Sequence, residues 1–597
     1  VYRRTASLIK YVESIILWIR SRLSQRQFIL FSAVLTGISG GLAAILLKSS
    51  VHFVYARVTS GFKPDFYWIY VIITPALGIM LCVWYVNKFH QGIYTKGIAS
   101  ILYAIAQRSG YIPLHHVYSH IITSSLTVGT GGSAGLEGPI VKTGAAVGSN
   151  YARKYRLSYK DRLLLLGCGV SSGIAAAFNA PIAGVLFAME VILPEVTITA
   201  FIPLLISSAC GALVSYMILD ETVLIFFRIP GKFLPFQLPY YVLLGIFCGL
   251  ISLYYAKIFS ATEKFAKTFT QKKIIRAGIL SMLTGVFFVF LPAISGEGYE
   301  FIRQLSSENP ENAFRLSILR PFISHQGTLL FFILLCILVK PLAVGITLGS
   351  GGNGGNFAPS MFVGAAGGYL FSSLLNRFFE LSLPVISFMV VGMAGTLSGI
   401  FYAPLTSIFL IAEITGGYML IIPLMIVVSL SFGLARYFEP YSMDTRRLAE
   451  KGQIFTSDID KNILTLMKTR QFIEKDFHPV HPEMTLGELV QIISRSSRNI
   501  FPVLDTEKKL YGVVLLGDVR ELMFKTEFYE KVRVKELMRQ APAIIDINED
   551  MYSVMKKFDE NDVWNLPVEE NGIYVGFISK SGIFNSYREL LDKIRAE

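Results

Sequence analysis

Apolar residues run almost without interruption from residue 28 to about 440. They fall into segments near 28–51, 66–89, 117–130, 139–150, 163–178, 182–193, 198–218, 239–260, 276–294, 327–348, 358–376, 384–400, 403–415 and 418–436. Several are shorter than the roughly 20 residues a helix needs to cross a hydrocarbon layer of about 30 Å. Short segments broken by glycine predict interrupted or re-entrant helices, which a membrane tolerates only where protein or a wet cavity surrounds the exposed backbone. The pattern changes at both ends. Residues 1–27 are basic and amphipathic, and from about 455 onward the chain reads as a soluble α/β domain. The division expected is an N-terminal cytoplasmic helix (1–27), a membrane domain (28–452), a linker (453–471) and an α/β module (472–597).

The membrane domain is internally repeated, over about 28–218 and 239–440. "GTGGSAGLEGPIVKTGAAVG" (129–148) laid over "GSGGNGGNFAPSMFVGAAGG" (349–368) gives nine identities in 20 positions at a constant offset of 220. "FNAPIAGVLFAME" (178–190) matches "FYAPLTSIFLIAE" (401–413) at offset 223, with Pro and Glu nine apart in each. Duplication with paired broken helices is a transporter pattern. It predicts an all-α polytopic domain of inverted-topology repeats.

Both glycine blocks lead into a proline and then an apolar helix. Proline suits the first helical turn, and glycine lets the preceding backbone bend and approach a ligand closely. The free amides and positive end of such a helix favour an anion. Two such ends meeting at mid-membrane make an anion site without a fixed full charge, which suits permeation. Glu137 stands at the start of the first helix. A carboxylate there is a tethered anion, able to fill the site and to leave on protonation or displacement. An acid at this depth is costly and is read as functional.

Composition narrows the class. The chain is 53% hydrophobic and 16% charged, with net charge +13. A basic excess on a membrane protein reports cytoplasmic loops rather than nucleic acid. Arg3, Arg4, Lys10, Arg20, Arg22 and Arg26 precede the first span, and Arg153, Lys154, Arg156, Lys160 and Arg162 fill one loop. Charges running through the first segment make no cleavable-signal pattern. Cys82, Cys168, Cys210, Cys248 and Cys336 all lie in apolar runs and read as small hydrophobes, not disulfides or metal ligands. The histidines look scattered, with only His115 and His116 adjacent, and no hydrolase or metalloprotease motif occurs, so an enzyme is not expected. A magnesium channel would need acids clustered along its pore, and the acids here are isolated.

"GLEGP" (135–139), "GNFAP" (355–359) and "FNAPIAGVLFAMEV" (178–191) resemble the CLC chloride channel and transporter family over about residues 28–452. The resemblance implies a homodimer with one pore per subunit, transport of chloride or other small anions, and protons as a second substrate in some members. It makes Glu137 the external gate and gives anion-binding roles to Gly138, Asn356, Phe357 and Ala358. "TKGIA" (95–99) falls where the family lines its central site, adding Lys96, Gly97 and Ile98. "SMDTRRLA" (442–449) puts Asp444 in the family's central tyrosine slot. Lys96 and Asp444 are therefore expected to pair across the inner pore, since a lone buried lysine is costly. Val191 replaces the inner proton glutamate of exchanging members, which favours channel-like or uncoupled conduction; the alternative is an anion/proton antiporter with Asp444 as a substitute relay. Leu136 and Lys142 depart from the usual arginine and glutamine, and His120 stands where relatives often have lysine, adding positive potential or capping a helix.

"NIFPVLDTEKKLYGVVLLGDVRELM" (499–523) parallels "WNLPVEENGIYVGFISKSGIFNSY" (564–587), each preceded by an amphipathic helix (485–494 and 550–559). This resembles a tandem CBS pair, about 472–530 and 531–597, a module that often binds adenine nucleotides. The ribose pattern is split: Asp518 remains with Leu515 in the Ser/Thr slot, and Ser579 remains with Gly582 in the Asp slot. An adenine nucleotide is the ligand the resemblance implies, and no cofactor or metal is required for transport. The expected location is the bacterial inner membrane, with the N-terminus and the CBS pair cytoplasmic.

Overall fold

The computed structural model describes residues 14, 16–60, 66–91, 96–193, 198–219, 234–322, 326–449, 464 and 467–596. Most of the expected N-terminal helix and linker lie outside these residues; residues 16–22 are helical. The chain divides into two compact units, Val1–Gly452 and Gln453–Glu597.

The first half of the membrane unit holds α1 (Gln25–Ser60), α2 (Tyr67–Phe89), α3 (Ala99–Gln107), α4 (His115–Thr127), α5 (Glu137–Lys154), α6 (Tyr159–Phe178), α7 (Pro181–Phe187) and α8 (Ile198–Leu219). The second half holds α9 (Leu238–Thr268), α10 (Lys273–Phe290), α11 (Tyr299–Leu305), α12 (Gln326–Ser350), α13 (Phe357–Phe378), α14 (Val385–Phe401), α15 (Pro404–Ile414) and α16 (Ile421–Phe438), then α17 (Met443–Ala449). Among the described residues nine helices are long and apolar enough to cross a membrane, while α7, α14 and α15 are short apolar helices. The packing repeats with the sequence: α5 lies on α6 as α13 lies on α14, and α1 on α8 as α9 on α16. Glycine permits the closest of these contacts. A Cβ on Gly144 would stand 2.1 Å from the Gly169 carbonyl oxygen, and one on Gly364 2.4 Å from that of Gly392.

The two Pro–Glu pairs now have a reason. Glu413, near the end of α15, accepts from the Ile182 and Ala183 amides at the start of α7, at 3.0 and 2.8 Å. Glu190 follows α7 in a π-helical turn (Ala188–Ile192) and accepts from the Leu405 and Thr406 amides at the start of α15, at 2.9 and 2.8 Å. Each repeat thus caps the other's broken helix, satisfying amides that would be orphaned in an apolar interior. Both preceding helices end on a left-handed residue, Asn179 (φ 53°) and Tyr402 (φ 58°), which turns the chain into the proline. All five cysteines are free, and all but the half-buried Cys210 are buried.

In the second unit, a capping box of Thr485 and Glu488 starts α18 (Leu486–Arg495). Strands β1 (Ile500–Leu504) and β2 (Leu510–Leu515) pair antiparallel. The second copy repeats this as α19 (Met551–Asn561), capped by Asp550, with β3 (Ile545–Asp546), β4 (Asn565–Glu570) and β5 (Ile573–Ser579) in the order β3-β4-β5. Segments cross over: Arg539 bonds with Val513 of the first sheet, and Glu474 with Phe577 of the second.

Candidate functional site

The glycine blocks meet as the repeat predicts. Gly135 and Gly355, equivalent positions 220 apart, exchange two backbone hydrogen bonds of 2.8 and 2.7 Å. No side chain fits between them: a Cβ on Gly355 would stand 2.8 Å from the Gly138 nitrogen. This clasp sets the starts of α5 and α13 against each other.

Glu137 opens α5 and is 4% exposed. Its carboxylate reaches the opposite helix: the Ala358 amide, second residue of α13, donates to Oε2 at 3.3 Å. The Tyr299 hydroxyl donates to Oε1 at 2.6 Å. Tyr299 begins α11 after a loop pinned from several sides. The Lys340 ammonium donates to the Ile294 and Gly296 carbonyls at 3.0 Å each, and the Ser133 hydroxyl donates to Ile294 at 2.7 Å. A cavity of about 960 Å³, lined by Lys48, Glu137, Phe178, Glu297, Tyr299 and Arg303 among others, opens onto this carboxylate.

Behind it, the Phe357 ring is buried against Phe178, Phe187 and Phe401, with centroids 5.8, 6.0 and 5.4 Å away. Asn356 precedes α13, and its Oδ1 accepts from the Tyr255 hydroxyl at 3.1 Å. So Glu137, Gly138, Asn356, Phe357 and Ala358 are gathered at one point. Gly97 has a φ of 71° and Ile98 is buried just before α3.

The ion pair expected between Lys96 and Asp444 is not formed. The Lys96 ammonium donates to the Gly351 and Gly352 carbonyls at 2.7 and 2.6 Å. These carbonyls follow the C-terminus of α12, where helix dipole and unpaired oxygens favour a cation. Backbone oxygens thus do the work the sequence suggested for a carboxylate. Asp444 is half-buried in α17.

His120 caps no helix. It lies inside α4, fully buried, with Nδ1 3.0 Å from Asn353 Nδ2 in the second glycine block. Four of the eight histidines are not scattered: His90, His115, His116 and His120 form a row. Sequence spacing shows the three on α4 but not His90, which the end of α2 supplies. Tyr299 was also missed, since a single tyrosine after "SGEG" carries no signal until the loop is folded.

In the second unit Asp518 accepts from Arg539, and the Ser579 hydroxyl donates to Glu474 at 2.5 Å. Arg498 links Glu474 and Asp476.

Comparison with known proteins agrees with this architecture. The family model "Voltage gated chloride channel" matches residues 78–436, and the CBS domain model matches 470–525 and 534–589. The H(+)/Cl(-) exchange transporter ClcA of Vibrio cholerae is 26% identical over 418 residues, covering 67% of this chain and 84% of its own. Chloride channel protein CLC-f of Arabidopsis thaliana is 27% identical over 477 residues, 70% of this chain and 59% of its own. The solved structure of a slow cyanobacterial Cl-/H+ antiporter is similar with a TM-score of 0.61 at 22% identity, covering 72% of this chain and 98% of its own. With its family match covering residues 78–436, the clasped glycine blocks within that match and a CBS pair later in the sequence, this chain is an integral membrane protein of the voltage gated chloride channel (CLC) family.

Proposed function

We propose that this protein moves chloride or a similar small anion past the junction of α5 and α13, with Glu137 as the gate. One observation carries the reading: the Glu137 carboxylate sits on the Ala358 amide, so a tethered anion already occupies a helix start suited to a free one. Chloride would take that amide, flanked by the Phe357 and Asn356 backbone and by Gly138, once the carboxylate is protonated or displaced. Lys96, spent on two carbonyls, would still lend its charge to the loop below, with Gly97 and Ile98 lining the inner approach. The basic residues 153–162 support a cytoplasmic inner face, and with it cytoplasmic N-terminus and CBS pair, in a bacterial inner membrane. The assembly implied is a homodimer with a pore in each copy.

Val191 supports channel-like conduction. Anion/proton exchange is the second reading, favoured by a gate carboxylate hydrogen-bonded to a phenol and by likeness to an exchanger. Asp444 as relay draws no support from a bond to Lys96. A nucleotide at the CBS pair is the weaker reading of the tail. Asp518 Oδ2 is buried with no hydrogen-bond partner, as a ribose hydroxyl would want, but Ser579 is held by Glu474 and Gly582 supplies no carboxylate.

The test is chloride efflux from liposomes between pH 4.5 and 7.5. Wild type should speed up as pH falls, and Glu137→Ala should lose that dependence. An unchanged pH profile in Glu137→Ala, or no chloride flux in wild type, would overturn the proposal.

A further inference from the structure

Asn356 stands where an asparagine normally caps its own helix, and it does not cap. Its side chain makes no bond to the first turn of α13, and its backbone (φ −100°, ψ −1°) is not the extended one a capping residue adopts. Pro359 has no N–H, and the Ser360 amide bonds back to the Asn356 carbonyl. The first turn therefore keeps two amides for a ligand, those of Phe357 and Ala358. The carboxamide is committed elsewhere. Its Oδ1 accepts from the Tyr255 hydroxyl at 3.1 Å, and among the described residues its Nδ2 donates to no protein atom.

Exposure singles out the same residue. From Gly352 to Gly368 every residue is buried except Asn356. Its surroundings are interior. Gly355 is clasped to Gly135, and the Phe357 ring is packed among three others. Tyr255 is fully buried on α9, its ring beside that of Phe259. The space that Asn356 touches is thus inside the unit, at the start of α13. The other repeat has no such feature. Leu136, the equivalent residue, has nearly the same backbone (φ −96°, ψ −13°) but an apolar side chain only 2% exposed.

The phenol decides which end of the carboxamide meets that space. A buried hydroxyl needs an acceptor for its proton. Oδ1 supplies it, so the NH2 end turns away from Tyr255. The reversed amide would leave the phenolic proton unpaired and show an oxygen to the anion, both unfavourable. Asn356 thus offers two neutral donors beside the backbone amides. Neutral donors suit an anion that has to leave again. The charged residues of the inner approach suit it less. Lys96 spends two of its three donors on carbonyls, and an ionised Asp444 has the anion's own sign.

We propose that the Asn356 carboxamide is a side-chain ligand of the passing anion, and that Tyr255 is the positioning residue that keeps the NH2 end towards it. This rests on the anion-transport reading and deepens it to specificity. A site built to donate hydrogen bonds favours the anion that accepts them well. Chloride gains from such a donor, and thiocyanate, a weakly hydrated anion, gains little.

The test is calorimetric titration of chloride and of thiocyanate into the full chain in detergent. Every measurement uses the Glu137→Gln background, where no gate carboxylate competes. Asn356→Leu, which copies Leu136, should lower the chloride-to-thiocyanate affinity ratio by about tenfold or more, the loss of a hydrogen bond to a charged group. Tyr255→Phe frees the carboxamide to turn and should lower the ratio by about threefold or more. Added to Asn356→Leu, Tyr255→Phe should lower it by less than about twofold further, because the group it positions is gone. A merely structural residue would weaken both anions together and leave the ratio where it was. An unchanged ratio in either single variant overturns the proposal, as does a Tyr255→Phe effect that persists in full without Asn356. Should one single variant fail to fold, the ratio in the other decides. Chloride that does not bind Glu137→Gln at all defeats the anion-site reading itself.

Discussion

Tyr299→Phe isolates the force that holds the gate. The substitution keeps the ring and deletes one oxygen, whose hydroxyl donates to Glu137 Oε1 at 2.6 Å. That length falls in the range of charge-assisted O–H···O bonds, and bonds to charged groups are worth about 1.5–3 kcal/mol net. The other hold on the carboxylate, from the Ala358 amide, is longer at 3.3 Å. At about 1.4 kcal/mol per decade, loss of the phenol should make departure of the carboxylate roughly 10- to 100-fold easier. The hydroxyl donates most strongly to the ionised carboxylate, so its loss also weakens the charged, blocking form against the protonated one. The pH of half-maximal chloride efflux should therefore move upward by about one unit or more. Efflux at pH 7.5 should rise about tenfold or more over wild type wherever gate opening limits the rate. Equal flux and an unshifted midpoint in Tyr299→Phe, with Glu137→Ala still pH-independent, would refute the reasoning.

Four further outcomes follow. Lys340→Met should move efflux in the same direction as Tyr299→Phe, because Lys340 holds the Ile294 and Gly296 carbonyls of the loop before Tyr299. Glu413→Ala strips two amides of α7 of their acceptor and should cost about 2–4 kcal/mol, seen as a lower melting temperature in detergent, with Glu413→Gln milder. Gly144→Val should fail to yield folded protein on size exclusion, since even a Cβ would lie 2.1 Å from the Gly169 carbonyl oxygen, whereas Gly417→Ala, with open space around it, should behave as wild type. Lys96→Asp with Asp444→Lys should rescue no transport lost in the single variants, because the Lys96 partners are backbone carbonyls.

The parts of the site legible in the sequence are those the duplication writes twice. The offset between glycine blocks picks out Gly135 and Gly355, which clasp each other. The Pro–Glu spacing picks out Glu190 and Glu413, though not that each serves the opposite repeat. A contact between a side chain and a carbonyl leaves no such trace. Any residue supplies a carbonyl, so the sequence offered Asp444 to Lys96 while the end of α12 supplied the oxygens. The histidine row escapes for a related reason: His90 and His115 are brought together only by the packing of α2 against α4. Tyr299 depends on a loop whose path is set by Lys340, Ser133 and a positive φ of 100° at Gly298.

The central claim is that Glu137 and a free anion compete for the Ala358 amide. Bromide-soaked crystals, measured at the bromine absorption edge, test this directly. In Glu137→Gln, or in wild type at low pH, an anomalous peak should lie within hydrogen-bond distance of the Ala358 nitrogen, and wild type at high pH should show none there. A peak at that amide beside an unmoved Glu137 carboxylate, or no peak near it in Glu137→Gln, would contradict the account.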